Sequence, residues 1–258
     1  MCYDISFAAD INKIKEYLPE LRVKEKGDID PDAFVHVQAQ AFRKYPIIAF
    51  EDGQYTLDRF EWGVIAPYMD TPEKVKKGRS FMCNAQSEKV LDKKSYWHRI
   101  SKNRCLIPVT GIYEHRDIPG WKHKVPYHVS PKSRELFCIP GLYTDAPKPD
   151  PETGEVKTTF TLLTREANKV MSQIHNGGGD KFRMPLFLPK KLELQWLQPD
   201  LDPKDIQAIL DYEIPSESLK YWPVFTIRTT KERPDHKEKN EPFNWPELPE
   251  LEYDLKTQ

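Results

Sequence analysis

Several features that would assign this chain to a common class are missing. Its 258 residues include only four cysteines, Cys2, Cys83, Cys105 and Cys138, and none forms a C-x-x-C pair. No cysteine–histidine cluster has zinc-site spacing, so neither a structural zinc module nor a disulfide scaffold is expected. No metal and no cofactor are expected. No run approaches the ~18 apolar residues of a membrane helix. The start, MCYDISFAADINK, lacks the apolar centre of a signal peptide. These absences predict no membrane contact and reduced thiols, in the cytoplasm, near a nucleoid or in a nucleus. An excess of one charge is also missing, since 39 Lys and Arg stand against 40 Asp and Glu. Any nucleic-acid site must then be a local basic patch. There is no G-K-[ST] phosphate loop, no Gly-x-Ser-x-Gly elbow and no glycosidase-like carboxylate pair.

What is present is aromatic and proline-rich. Aromatics make up 12% of the chain, too many for a disordered one, and 23 prolines punctuate it throughout. Residues 46–50, 54–65, 104–109, 126–130, 136–143, 158–164 and 220–227 read as strands. Helices are expected at 91–102, 165–174, 189–197 and 203–211. Asp202 caps the last of these, with Pro203 in its first turn. Asp10 is placed to cap a short helix carrying Ile11, Ile14 and Leu18. This order is not a strict strand–helix alternation, so it predicts an α+β domain around a curled, mainly antiparallel sheet. The domain is expected to span 1–230. Residues 231–258, charged and Pro-rich, read as a surface-draped or mobile tail.

Cys2 is the most unusual position. With Met1 removed it would carry a free amine and a thiol on adjacent carbons, ordinarily titrating near ~8 and ~8.5. Such a pair condenses with an aldehyde to an imine, which the thiol closes to a thiazolidine. Asn84, after Phe81-Met82, suits either a turn cap or an amide that orients a nucleophile. Glu114, beyond an apolar strand and a glycine, is either an exposed acid or a proton shuttle. His175 precedes three consecutive glycines and is either structural or catalytic. Arg183 is available for a phosphate or a surface ion pair. Segment 87–104 interleaves Lys89, Lys93, Lys94, Arg99, Lys102 and Arg104 with Tyr96 and Trp97. That mixture suits single-stranded nucleic acid, and it equally suits an amphipathic helix.

The order of short motifs is more specific than any one of them. Met1-Cys2 is followed by Trp62-Gly63, Ile65-Ala66-Pro67, Asn84-Ala85 with Glu88, and Arg104-Cys105-Leu106-Ile107-Pro108. Gly111-Ile112-Tyr113-Glu114, Pro126-Tyr127, Gly141-Leu142-Tyr143 and Thr159-Phe160-Thr161 come next. Glu166-Ala167-Asn168, Ile174-His175 and Arg183-Met184-Pro185 close the series. Over about residues 1–225 the chain resembles the SRAP family, SOS-response-associated peptidase-like proteins that sense abasic sites. The resemblance implies a single α+β domain with a barrel-like, mainly antiparallel mixed sheet flanked by helices. It also implies autocatalytic removal of Met1 and covalent capture of abasic sites in single-stranded DNA by Cys2, in the DNA-damage response. The activity expected is peptidase-like with lyase potential, largely single-turnover, in a monomer acting on single strands or fork junctions. Cys2, Asn84, Glu114 and His175 match the catalytic positions. Trp62, Arg104 and Arg183 match DNA-contacting ones.

Four positions depart from the family pattern. Tyr3-Asp4 replaces a common Gly-Arg, Gln86 a common Arg, and His115 a common Trp. Residues Asn176 to Phe182 lengthen a usually short gap. Two basic contacts are thereby lost, while the aminothiol core is kept. Two other classes of function compete with DNA capture. A thiol peptidase or N-terminal-nucleophile amidohydrolase would turn over a peptide or amide. A non-catalytic DNA- or partner-binding module would tolerate loss of Cys2.

Overall fold

The computed structural model describes residues 2–10, 12–24 and 34–252. In chain order the early strands are β1 (Asp4–Ser6), β2 (Arg22–Val23), β3 (Val37–Gln38), β4 (Lys44–Glu51), β5 (Gln54–Trp62) and β6 (Asn84–Gln86). Then come β7 (Arg104–Val109), β8 (Gly111–Arg116), β9 (Val125–Pro131), β10 (Phe137–Asp145), β11 (Thr158–Glu166), β12 (Arg183–Pro185) and β13 (Leu219–Pro223). The helices are α1 (Asn12–Tyr17), α2 (Pro72–Gly78), α3 (Tyr96–Arg99), α4 (Lys169–Ile174), α5 (Lys190–Trp196) and α6 (Pro203–Leu210).

Two sheets carry this α+β fold. The smaller is antiparallel throughout, in the order β13-β9-β8-β1-β3. The larger runs β12-β11-β10-β7-β4-β5-β2, with β6 added to β11. It is mostly antiparallel but takes parallel pairings at β2–β5 and β6–β11. A further parallel pairing, Thr159 with Glu61 and Phe160 with Trp62, brings β11 round onto β5. The larger sheet is therefore strongly curled, with closure resting on that short pairing. The six residues of β7, RCLIPV, are all buried, and so is most of β10. Strands buried along their whole length need cover on both faces. The curl covers one, and Trp196 of α5, wholly buried, donates from Nε1 to the Gly141 carbonyl on β10 at 3.2 Å. At Thr110 the chain leaves the larger sheet and enters the smaller one as β8, which carries the acid of the site toward β1.

Several boundaries differ from the sequence expectation. The helix expected over 91–102 is reduced to the single turn of α3. Asp92 accepts from the Lys94 N–H at 3.0 Å, and Ser95 caps Trp97 at 3.2 Å, so side chains restart the backbone twice. The helix expected from 165 begins only at Lys169, because 158–166 pair as β11 and Asn168 caps at the Met171 N–H. The strand expected over 54–65 stops at Trp62, since Gly63 turns the chain with φ +92°. The strand expected over 220–227 stops at Pro223. Asp10 does accept from the Asn12 N–H, at 2.8 Å, with Ile14 and Leu18 buried below; Ile11 lies outside the described residues. As far as residue 252 the C-terminal segment is draped on the domain. The Trp245 indole donates to the Val224 carbonyl at 2.9 Å, and Leu251 is buried.

Candidate active site

Cys2 stands two residues ahead of β1, which lies between β8 and β3 in the smaller sheet. Its side chain is 0% exposed, and the thiol donates to the Asp4 carbonyl at 3.6 Å. Cys2 is thus interior to the fold, and Met1 lies outside the described residues. Burial raises the thiol well above its ordinary range, and the charge of Glu114 adds to the effect.

Glu114 does not sit on an exposed strand end. It lies within β8, opposite Tyr127, and is 4% exposed. Burial pushes its carboxyl up to about 8, so it holds a proton at neutrality. Its Oε1 has no hydrogen-bond partner among the described residues. His175 ends α4, and its Nε2 stands 3.8 Å from Glu114 Oε2. On the other side of the ring, Nδ1 is 2.8 Å from the Arg183 carbonyl. So short an approach to a carbonyl places the imidazole proton on Nδ1 and leaves the Nε2 lone pair toward Glu114. The Arg183 N–H also comes within 3.3 Å of Nδ1, a longer contact that does not set the tautomer. Burial pushes His175 down to about 4. A neutral acid therefore faces a neutral base beside a neutral thiol.

Asn84 comes from the other sheet, on β6, in parallel register with Leu162 of β11. It is 4% exposed, and neither its amide nitrogen nor its amide oxygen has a partner among the described residues. Unmet buried groups of this type cost about 1–3 kcal/mol each. No hydrogen bond joins Asn84 to Cys2, Glu114 or His175. Trp62, expected at the groove, is fully buried instead. It stacks on Phe160 at 5.8 Å and donates to the Cys83 carbonyl at 2.8 Å, fixing the backbone just ahead of Asn84. Arg104, expected to meet phosphate, is turned inward. It is 6% exposed and donates to the carbonyls of Trp196, at 2.8 Å, and of Ser101, Gln198 and Pro199. Arg183 is held by Glu88 in a two-bond pair at 2.7 and 2.9 Å, and donates to the Thr164 carbonyl.

Next to Glu114 and His175 opens a pocket of about 310 Å³, also lined by Tyr3, Asp4, His115, Lys124, Gly177–Asp180 and Arg228. The lengthened segment after His175 thus forms a wall of the pocket. Asn176 pins it by accepting from the Asp117 N–H at 2.7 Å and donating to the Asp117 carbonyl at 2.9 Å. Gly177 passes so close that a Cβ there would meet Lys124 Nζ at 2.6 Å and Asp117 Oδ2 at 2.7 Å. Burial pushes Tyr3 up to about 12, with the charges of Cys83, Asp180, Glu114 and Cys2 adding to it, so its ring lies among the site groups. Tyr3, Lys124 and Arg228 were not named as site residues from the sequence. Asp4, read there as a lost basic contact, is buried and accepts from His36 at 2.7 Å and from Arg228. Among the described residues no group of three Cys, His, Asp or Glu side chains is placed to hold a metal ion.

Elsewhere on the surface Tyr68 and Phe81 are 56% and 71% exposed. Tyr68 meets Tyr96 edge-on at 6.0 Å, and Tyr96 meets Trp97 at 5.5 Å. Lys93, Lys94 and Arg99 of the basic run are exposed on the same short stretch of chain.

The family described as SOS response associated peptidase (SRAP) matches residues 1–227. The abasic site processing protein YoqW of Bacillus subtilis is 32% identical over 155 residues, 60% of this chain and 63% of its own. The abasic site processing protein HMCES of Xenopus tropicalis is 25% identical over 203 residues, 69% of this chain and 55% of its own. The match thus spans less than two thirds of either relative. A crystal structure of a Bacteroides thetaiotaomicron protein superposes with TM-score 0.73 at 28% identity, covering 93% of this chain and 97% of that one.

Proposed function

Because the chain belongs to the SOS response associated peptidase (SRAP) family, we propose that it processes abasic sites by covalent capture through Cys2. The observation that carries this reading is the buried Cys2–Glu114–His175 group, in which the acid retains a proton to about 8 beside a neutral imidazole at 3.8 Å. Removal of Met1 would uncover the Cys2 amine. That amine adds to the C1′ aldehyde of the ring-opened abasic sugar, giving a carbinolamine. Glu114 then donates its proton to the departing hydroxyl, water leaves, and the nitrogen returns its proton to Glu114 as the imine forms. The thiol sulfur adds to the imine carbon while the thiol proton passes to nitrogen, through Glu114 or His175. Aldehyde and aminothiol become thiazolidine and water, and the strand escapes β-elimination. Asn84, with both amide groups unmet, is the candidate to orient the amine or the sugar.

A thiol peptidase acting in trans needs a thiolate, whereas burial and the neighbouring carboxyl keep this thiol protonated. That favours aldehyde capture over peptide turnover. The strand is proposed to be single, reaching the pocket past the exposed aromatics Tyr68 and Phe81 and the cations Lys93, Lys94 and Arg99. The test is denaturing electrophoresis with an abasic single strand and an undamaged control. Wild type should give a heat-stable adduct, Cys2→Ser a much less stable one and Cys2→Ala none of the thiazolidine type. A Cys2→Ala adduct as stable as that of wild type would overturn the proposal.

A further inference from the structure

Arg228 follows β13 by five residues and returns to β1, 224 positions away, to grip Asp4. Its Nε donates to Asp4 Oδ1 at 3.1 Å and one Nη donates to Oδ2. The Asp4 side chain is 2% exposed while that of Arg228 remains 43% exposed. The contact is therefore asymmetric: the acid is an interior anchor and the guanidinium reaches the pocket mouth. His36 Nε2 holds the same carboxylate at 2.7 Å, so Asp4 cannot swing out with its partner. Burial alone would raise Asp4, but these bonds hold it below its ordinary range, which keeps it an anion. The remaining Nη1 of Arg228 has no hydrogen-bond partner among the described residues.

A second cation lines the same pocket. Lys124 is 39% exposed and lies 3.6 Å from Asp117, the residue that pins Asn176. The surroundings are not broadly basic, because Asp4, Glu114 and Asp180 line the pocket too. A ligand drawn here meets two positioned donors rather than a diffuse positive field. With Nε and one Nη spent on the buried carboxylate, the guanidinium is held rigid and its remaining Nη1 is left to donate to a tetrahedral oxyanion. A sugar captured by Cys2, whose neighbours Tyr3 and Glu114 line this pocket, carries such a group on each side, as the phosphodiesters of its strand.

Resting on the aldehyde-capture reading above, we propose that Arg228, anchored by Asp4 and flanked by Lys124, binds a backbone phosphate next to the abasic sugar. Arg228 is thus a positioning residue, holding the aldehyde carbon over Cys2 and taking no part in bond making. Neither Arg104, which faces inward, nor Arg183 lines this pocket.

The experiment compares crosslinking rates on two abasic single strands. One is an ordinary strand, and the other has uncharged methylphosphonates at both linkages flanking the abasic site. Wild type should react roughly tenfold faster with the charged strand, the scale of one well-made charge-assisted contact. Arg228→Gln should be slower on the charged strand and lose most of that preference, while Arg228→Lys should keep part of it. Lys124→Gln should reduce the preference less. Because Arg228→Gln strands the Asp4 charge, the double variant Asp4→Asn with Arg228→Gln removes both charges together. It should fold and show the same loss of preference. Equal rates of wild type on both strands, or a full preference in the double variant, overturn the assignment. If wild type crosslinks neither strand, the aldehyde-capture reading fails and this one falls with it.

Discussion

Burial moves the two titratable partners of Cys2 in opposite directions, and each shift carries its own pH signature. Glu114 rises from an ordinary 4.5 to about 8. Between those values the folded chain binds a proton that the unfolded chain has released, so stability declines as pH rises from about 4.5 to 8. His175 falls from 6.5 to about 4, so its contribution is present above 6.5 and is lost as pH drops toward 4. Glu114→Gln removes the first penalty. It is expected to melt above wild type at pH 8, by up to a few kcal/mol in stability, and to match it near pH 4.5. Thermal melts across that range check this. A difference that grows toward low pH would show the sign to be wrong. The same proton governs rate. Crosslinking by wild type should fall as pH rises through about 8, and Glu114→Gln should be slow and flat there, which time courses from pH 6 to 9 will read.

On the scale of elements, Arg104 shows why a basic residue in a basic run can still be structural. It projects from β7 to the end of α5, where the carbonyls of Trp196, Gln198 and Pro199 have lost their helical partners. A cation also complements the negative end of the helix. Arg104→Ala should cost about 1–3 kcal/mol, since it leaves the buried Trp196 carbonyl without its donor. Single-strand affinity of the folded variant should be unchanged. Denaturant unfolding and a binding titration decide this; a loss of affinity at full stability would restore Arg104 to the DNA face. Legibility followed local physics. Strands written as apolar runs between turn residues, such as β7, β10 and β11, could be read directly. β1 and β8 could not, because Asp4, Ser6 and Glu114 are polar and are buried only by pairing partners far away in sequence. The order of motifs identified Cys2, Asn84, Glu114 and His175 as candidates. Nothing local revealed that Trp62 and Arg104 point inward while Arg228 points into the pocket.

For the molecule as a whole, the segment after β13 belongs to the packing up to residue 252. Arg233 is buried with its guanidinium on the carbonyls of Glu238 and Glu241, at 2.7 and 2.8 Å, and Arg116 donates to the carbonyls of Pro249 and Glu250. These contacts steady the strand end from which Arg228 extends. The curled sheet supplies Asn84 from one side and the smaller sheet supplies Cys2 and Glu114 from the other, so the site exists only when both are assembled. In the proposed reaction Cys2 carries the aldehyde as a thiazolidine once Met1 is gone. Intact mass before and after incubation with an abasic single strand tests it most directly. The expected result is a chain lacking one methionine, then an adduct of chain plus strand minus one water that persists without borohydride. A wild-type chain confirmed to lack Met1 that gains no strand, or gains one only after reduction, would contradict it.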